Sequence, residues 1–401
     1  MSKKYIILFI VSVAVLFGAN FYWHNLRDIW TAIKVPPSRI SVSSIPTPIT
    51  GTKSEPTNLT GIPLKLPESF GIHIFANKLP GARVMAFDSF GSMWVSQPSE
   101  GTVSLIEIKD GKIVHQGVIF RNLKNPHGLA FDPDTPTILY IAEEDKISSV
   151  AVYSEDSLHK IADLPAGEGH FTRTLGFGPD KRLYVSIGSS CNVCNEGDDR
   201  AKIFFMNKDG SDFREYARGL RNSVFFDWHP VSKKMWATEM GRDLLGDNLP
   251  PDEINIIQEG VNYGWPICYG KNIHDKNFDK NTYIRNPCME PLETESHIDI
   301  PAHSAPLGLA FISNKWPVEY RGDLLVAYHG SWNRSTPTGY KIVRMKLDPD
   351  GSYQGTEDFI TGWLTGGKVY GRPVDLIFGL DGNLYISDDK AGLIYRVSYV
   401  L

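Results

Sequence analysis

GHFTRTLGFGPDKRLYVS, residues 169–186, reads as a strand ending in Phe177, a short Pro/Asp turn, and a second strand ending in the small residue Ser186. The unit recurs, with its Phe at Phe87, Phe131, Phe177, Phe226, Phe311 and Phe378. Its second strands are MWVS (93–96), LYIA (139–142), LYVS (183–186), MWAT (235–238), LLVA (324–327) and LYIS (384–387). Each ends in Ser, Ala or Thr, where a bulkier side chain crowds the neighbouring sheet. The spacings of 44, 46 and 49 residues match one four-stranded propeller blade, and those of 85 and 67 require insertions. Six copies predict an all-β chain folded as a six-bladed β-propeller around a central channel.

The 401 residues are 42% hydrophobic and 22% charged, a globular balance with ample material for a core. A formal charge of −5 and the lack of a basic run give no reason to expect nucleic acid.

Lys3 and Lys4 precede an uncharged apolar run, residues 5–22, that closes on Phe21, Tyr22 and Trp23. A basic start before such a run is an export signal. Its length of about 18 residues is near the minimum for spanning a bilayer, and the aromatic cluster suits the membrane interface. No Ala-x-Ala cleavage site follows, so an uncleaved anchor is expected over residues 1–34, placing the rest outside the cytoplasm. Residues 35–61, rich in Pro, Ser and Thr, read as a tether. The propeller is expected over 62–401. One strand near residues 71–76 precedes the first unit, and LIYRVSYV (393–400) ends the chain; pairing them closes the ring and removes exposed edges.

Between the fourth and fifth units lies the long insertion, roughly residues 241–303, in which DEINII (252–257) reads as the third strand of blade 4. Long loops on a rigid ring commonly line a site. The cysteines, Cys191, Cys194, Cys268 and Cys288, are even in number in an exported chain and suggest disulfides, paired by proximity as 191–194 and 268–288. A redox-active CxxC or half of a zinc site are the alternatives.

Residues just ahead of each innermost strand sit at the channel mouth. Those places hold His127, His170 with Arg173, Arg221 with Asn222, His303, and Arg372 with Asp375. Converging histidines and arginines suit an anionic ligand with a general base beside it.

From about Leu64 onward the chain resembles the glucose/sorbosone dehydrogenase family, six-bladed propellers that use pyrroloquinoline quinone (PQQ), and is most similar to its sorbosone dehydrogenase-like branch. The resemblance rests on LPESFGIHIFA, GFGPDKRLYVSIGSSCNVC, PDEINII, NYGWP, HSAPLGLAF and HGSWNRS occurring in order. It implies oxidation of an aldose or sugar aldehyde with PQQ and Ca²⁺. His170 matches the family's base, Arg221 and Asn222 its cofactor-holding pair, and Arg372 the first of two cofactor arginines. The backbone carbonyls of Gly241 and Arg242 match the Ca²⁺ ligands, hard oxygen donors for a hard cation. Three departures stand out: Gly169 where the glucose enzymes carry Asp, Val374 for the second arginine, and Gly330 for a cofactor lysine. His329 and Arg334 are the candidates to supply the lost charge, and His303 and His127 complete the expected cofactor pocket. No haem-attachment CxxCH is present, so the electron acceptor is expected to be a separate molecule.

Two other readings compete with the sugar dehydrogenase. A lactonase-type hydrolase requires a channel metal held by side-chain carboxylates, whereas these mouths carry mainly His, Arg and Asn. A non-enzymatic, surface-tethered binding propeller would account for the substituted cofactor contacts.

Overall fold

Each Phe–turn–small-residue unit forms the first two strands of an antiparallel four-stranded sheet. The computed structural model describes residues 56–289 and 294–399. Blade 1 comprises Met85–Phe87, Met93–Gln97, Thr102–Lys109 and Lys112–Phe120; blade 2, Gly128–Phe131, Ile138–Ala142, Lys146–Ala151 and His159–Asp163. Blade 3 comprises Leu175–Phe177, Leu183–Ile187, Lys202–Met206 and Arg214–Arg218; blade 4, Phe226–Trp228, Met235–Glu239, Asp252–Ile257 and Ile298–Ile300. Blade 5 comprises Pro306–Phe311, Leu324–Tyr328, Lys341–Leu347 and Tyr353–Ile360. Blade 6 takes Pro373–Phe378, Leu384–Asp388 and Leu393–Tyr399 from the end of the chain and Phe70–Ala76 from its beginning. The ring therefore closes as expected, with Phe70 opposite Tyr399 and Ile72 opposite Val397.

The repeat has a packing cause. In blades 1, 2, 3, 4 and 6 an aromatic stands near the start of the second strand (third residue in blade 2, second in the others), and it meets the last inner-strand residue of the next blade edge-on. The pairs are Trp94–Phe131 (6.3 Å between ring centroids), Tyr140–Phe177 (5.2 Å), Tyr184–Trp228 (5.5 Å), Trp236–Phe311 (5.6 Å) and Tyr385–Phe87 (5.4 Å). Blade 5 has Leu325 there, and Trp316 covers Phe378 instead, at 5.1 Å. This register corrects the sequence reading in blade 4. Trp228, opposite Met235, holds the place of the repeating Phe; Phe226, opposite Ala237, fills the slot that Leu175 occupies opposite Val185 in blade 3.

The small terminal residue also has a cause. Ser186 Oγ donates to Val224 O (3.4 Å), Thr238 Oγ1 to Leu307 O (2.9 Å) and Ser387 Oγ to Arg83 O (2.6 Å), each in the next blade. Ala142 and Ala327, both buried, fill this position without that bond. Asp375, expected at the channel mouth, instead joins blade 6 to blade 1 by accepting Met85 N at 2.8 Å.

Thr57–Asn58 adds a short parallel strand beside Phe70–Ala76, so the folded chain includes residues assigned from sequence to the end of the tether. Both disulfides, Cys191–Cys194 and Cys268–Cys288, pair as proximity suggested. Among the described residues no helix is long and apolar enough to cross a membrane; the anchor expected over residues 5–22 lies outside them.

Candidate active site

Loops ahead of the inner strands of blades 3 to 6 and the loops after the second strands of blades 4 and 5 surround a cavity of about 200 Å³. It gathers His170, Arg221, Asn222, Gly241, His303, His329 and Arg372 from the residues singled out in the sequence. Asp243, Asp252 and Trp332 join them.

His170 is fixed by main chain. Its Nδ1 lies 2.9 Å from Ser189 O, an acceptor only, and 3.2 Å from Ser189 Oγ, whose own proton goes to Cys191 O, so Nδ1 carries the proton and Nε2 keeps its lone pair. Burial, with the Arg221 charge nearby, pushes the imidazole down to about 4, so it is neutral near pH 7. Gly169, in the place where the resemblance implies an Asp in the glucose enzymes, is a glycine for a steric reason. Gly169 has φ +88°, and a Cβ there would lie 2.5 Å from Ser189 O and from Ser190 Cα. The backbone that brings Ser189 O to the imidazole thus leaves no room for a side chain one residue earlier.

Arg221 is held through all five of its N–H groups. Nε donates to Asn192 O (2.8 Å), Nη1 to Gly241 O (3.0 Å) and Met240 O (3.3 Å), and Nη2 to Asn192 Oδ1 (3.0 Å) and Asp243 Oδ2 (3.4 Å). It is therefore a fixed positive charge more than a free set of donors. Arg372 differs: Nη2 donates to Gly330 O (3.0 Å) and Nε to His329 O (3.4 Å), while Nη1 makes no hydrogen bond among the described residues. Asn222 Oδ1 is buried without a hydrogen-bond partner among the described residues, facing Gly188, whose missing side chain allows the approach.

Two buried carboxyl groups shape these walls. Glu239 accepts Asn222 N (2.8 Å) and Ser223 Oγ (2.7 Å). Asp252, the acid of PDEIN, accepts Gly241 N and Ala305 N, both at 2.9 Å, tying the blade 4 loop to the blade 5 loop. Burial raises Glu239 to about 8 and Asp252 to about 7.

Other expected residues lie elsewhere or do other work. His127 is fully buried off the cavity, with Nδ1 3.3 Å from Thr174 Oγ1; burial, with Arg83 alongside, holds it well below the usual histidine range. Arg173 donates to the carbonyls of His170, Thr172 and Pro165, a structural brace. Arg334 is engaged by Asp247 O, Ala302 O and Asn248 Oδ1 on the insertion. His329 sits 3.1 Å from Asp389, and burial pushes it down to about 4. Although burial works the other way on Asp389, His329, Arg83 and Arg372 hold it at about 2. The pair is therefore a neutral imidazole donating to a carboxylate. Neither His329 nor Arg334 replaces the lost lysine charge, and Gly330 could not carry that lysine, since a Cβ there meets the Tyr340 ring at 2.5 Å.

Ser189, Asn192, Asp243, Glu239, Asp252 and Trp332 were not foreseen from sequence as site residues. Asn192 and Trp332 lie inside recognised motifs, GSSCNVC and HGSWNRS, and were legible to that extent.

The family model described as TrAA12-like matches residues 64–400. The chain belongs to the TrAA12-like family. An uncharacterized protein of Borreliella burgdorferi is 35% identical over 357 residues, covering 84% of this chain and 91% of its own. Among solved structures, the Trichoderma reesei family AA12 enzyme superposes with a TM-score of 0.72 at 21% identity, covering 85% of this chain and 98% of the other. The holo PQQ domain of pyranose dehydrogenase from Coprinopsis cinerea gives 0.67 at 20% identity, over 86% and 100%. These structural likenesses establish the six-bladed fold.

The charge of this TrAA12-like cavity suits an anionic quinone: two arginines line it, and among the described residues Arg372 keeps one nitrogen free to donate. A Ca²⁺ at the Gly241 carbonyl does not fit the arrangement as it stands, because the Arg221 guanidinium already lies against that oxygen. Two cations do not share one carbonyl at this range without strong repulsion.

Proposed function

We propose that this TrAA12-like protein is a PQQ-dependent oxidoreductase acting on an aldose or sugar aldehyde, with His170 as general base. The observation that carries the reading is the His170 tautomer, its Nδ1 proton committed to Ser189 O and its Nε2 available beside two arginines. The quinone supplies the two-electron acceptor chemistry that side chains lack. Arg221 presents a fixed charge toward the anionic cofactor, Arg372 offers N–H donors, and His170 Nε2 takes the substrate hydroxyl proton. Trp332, 75% exposed at the cavity mouth, offers an aromatic face to a sugar ring. The names of the relatives support this class, with the sorbosone branch as the finer assignment.

Two disulfides suit an oxidising compartment, in keeping with an extracytoplasmic domain tethered through residues 1–34 and a linker that ends before the Thr57–Asn58 strand, and passing electrons to a separate acceptor. The hydrolase reading loses support. Among the described residues the one His/Cys/Asp/Glu group close enough to hold a metal is Cys191, Cys194 and Glu196, and those cysteines are disulfide-bonded.

The test is PQQ titration of the purified protein followed by dye-linked turnover on a panel of aldoses. Saturable binding with turnover is expected, and His170→Ala should abolish turnover with binding largely kept. Absence of PQQ binding refutes the cofactor assignment; full turnover by His170→Ala removes the histidine from the base role.

A further inference from the structure

We propose that Asn192, framed by the Cys191–Cys194 disulfide, is the positioning residue that holds the Arg221 guanidinium facing the cavity. The inference deepens the reading above and rests on it where cofactor binding is measured.

Asn192 lies inside the four-residue loop that the disulfide closes, and both its oxygens point at one guanidinium. Its main-chain O accepts Nε and its Oδ1 accepts Nη2, at 2.8 and 3.0 Å. The same Oδ1 accepts Asp243 N at 2.8 Å, and its Nδ2 donates to Asp243 O at 3.1 Å. Asn192 thus grips the backbone of the segment whose carboxylate competes for Arg221. The remaining contacts of the guanidinium are to the carbonyls of Met240 and Gly241 and, at 3.4 Å, to Asp243 Oδ2. Without the asparagine, the uncompensated choice for a buried cation is to swing toward the carboxylate, which withdraws its charge from an anionic ligand.

The loop is built to hold this residue still. Ser189 Oγ donates to Cys191 O at 2.7 Å, and Ser190 N donates to Glu196 Oε2 at 2.7 Å. Ser189 O is also the acceptor that sets the His170 tautomer, so one disulfide-closed segment positions the proposed base and the fixed charge together. Both of its cysteines are partly exposed, whereas Cys268 and Cys288 are buried, so a reductant reaches this bridge first.

Three perturbations test the proposal, with PQQ as the probe. Asn192→Ala, which keeps the main-chain O and removes Oδ1, should raise the PQQ dissociation constant about tenfold to a hundredfold, the range for losing one hydrogen bond to a charged group. In an Arg221→Ala background the same change should do almost nothing, because its route of action is gone. Mild reduction confined to Cys191–Cys194, verified by alkylation and mass spectrometry, should weaken binding reversibly in the folded wild-type protein. Unchanged affinity in Asn192→Ala, or an effect that simply adds to that of Arg221→Ala, overturns the positioning role; unchanged affinity after reduction overturns the role of the disulfide. If the wild type binds no PQQ, the functional reading fails, and a crystal structure of cofactor-free Asn192→Ala decides this one. A guanidinium turned onto Asp243 supports it, and one still on the Met240 and Gly241 carbonyls refutes it.

Discussion

Glu239 ends the second strand of blade 4 with its carboxyl group fully buried, accepting Asn222 N and Ser223 Oγ, and burial lifts its pKa from 4.5 to about 8. An acid whose folded pKa lies above its unfolded value adds stability below the unfolded pKa and loses it as pH rises through the folded one. For Glu239 that window runs from 4.5 to about 8. At about 1.4 kcal/mol per pH unit, the loss between pH 5 and pH 7 is about 3 kcal/mol, an upper figure for a group whose surroundings can relax. Glu239→Gln keeps the shape and an acceptor for Asn222 N, and it removes the titration. Urea unfolding of both proteins at pH 5, 6 and 7 isolates the effect, since titrating groups not coupled to Glu239 cancel in the difference. The variant should gain on the wild type by about 1 kcal/mol or more per pH unit, whatever their offset at pH 5. Parallel stability profiles would refute the reasoning and mean that Glu239 ionises at its ordinary pH in the folded protein.

Two further substitutions probe the frame. Gly169→Asp restores the residue that the glucose enzymes carry, yet its Cβ would lie 2.5 Å from Ser189 O and Ser190 Cα. It should cost about 2 kcal/mol or more in thermal unfolding and displace the His170 imidazole; a stable, more active variant would refute the steric account. Ser387→Ala removes the hydroxyl that donates to Arg83 O across the blade 6–blade 1 seam and accepts Asp375 N at 3.0 Å. A loss of about 1–3 kcal/mol is expected, read as a drop of several degrees in the melting temperature, and an unchanged melt would show that the seam does not depend on it.

The blades were legible because their signals are packing constraints written into side chains. An aromatic must meet the next blade's terminal ring, and a small residue must sit where its hydroxyl or methyl touches the next backbone. The difference at blade 4 follows from the same rule: Trp228 meets the Tyr184 ring as a Phe would, and Phe226 two residues earlier carries the repeat's letter without its position. In the site, histidines and arginines at fixed offsets from the inner strands were found, but their partners were not. Ser189 and Met240 act through carbonyls, which every residue possesses, so no letter in the sequence marks them; the Gly241 carbonyl was expected to hold Ca²⁺ and instead accepts Arg221. His127 and Arg334 show the converse: the right residue type near the right offset was claimed by burial in one case and by the insertion loop in the other.

The seam between the two ends of the chain also fixes when the protein can first function. Asp389, which holds His329 in the cavity wall, reaches Arg83 at 2.9 Å across 306 residues of chain, beside the place where Phe70–Ala76 completes blade 6. During synthesis the early strand must wait, unpaired, until its partner emerges at the far end. Until the two meet, the wall carrying His329 and Arg372 has no final form. A ligand that binds there thus selects closed rings over open ones, and it shifts the population toward closure by mass action. Ligand binding at this wall and closure of the ring are thereby linked, each favouring the other.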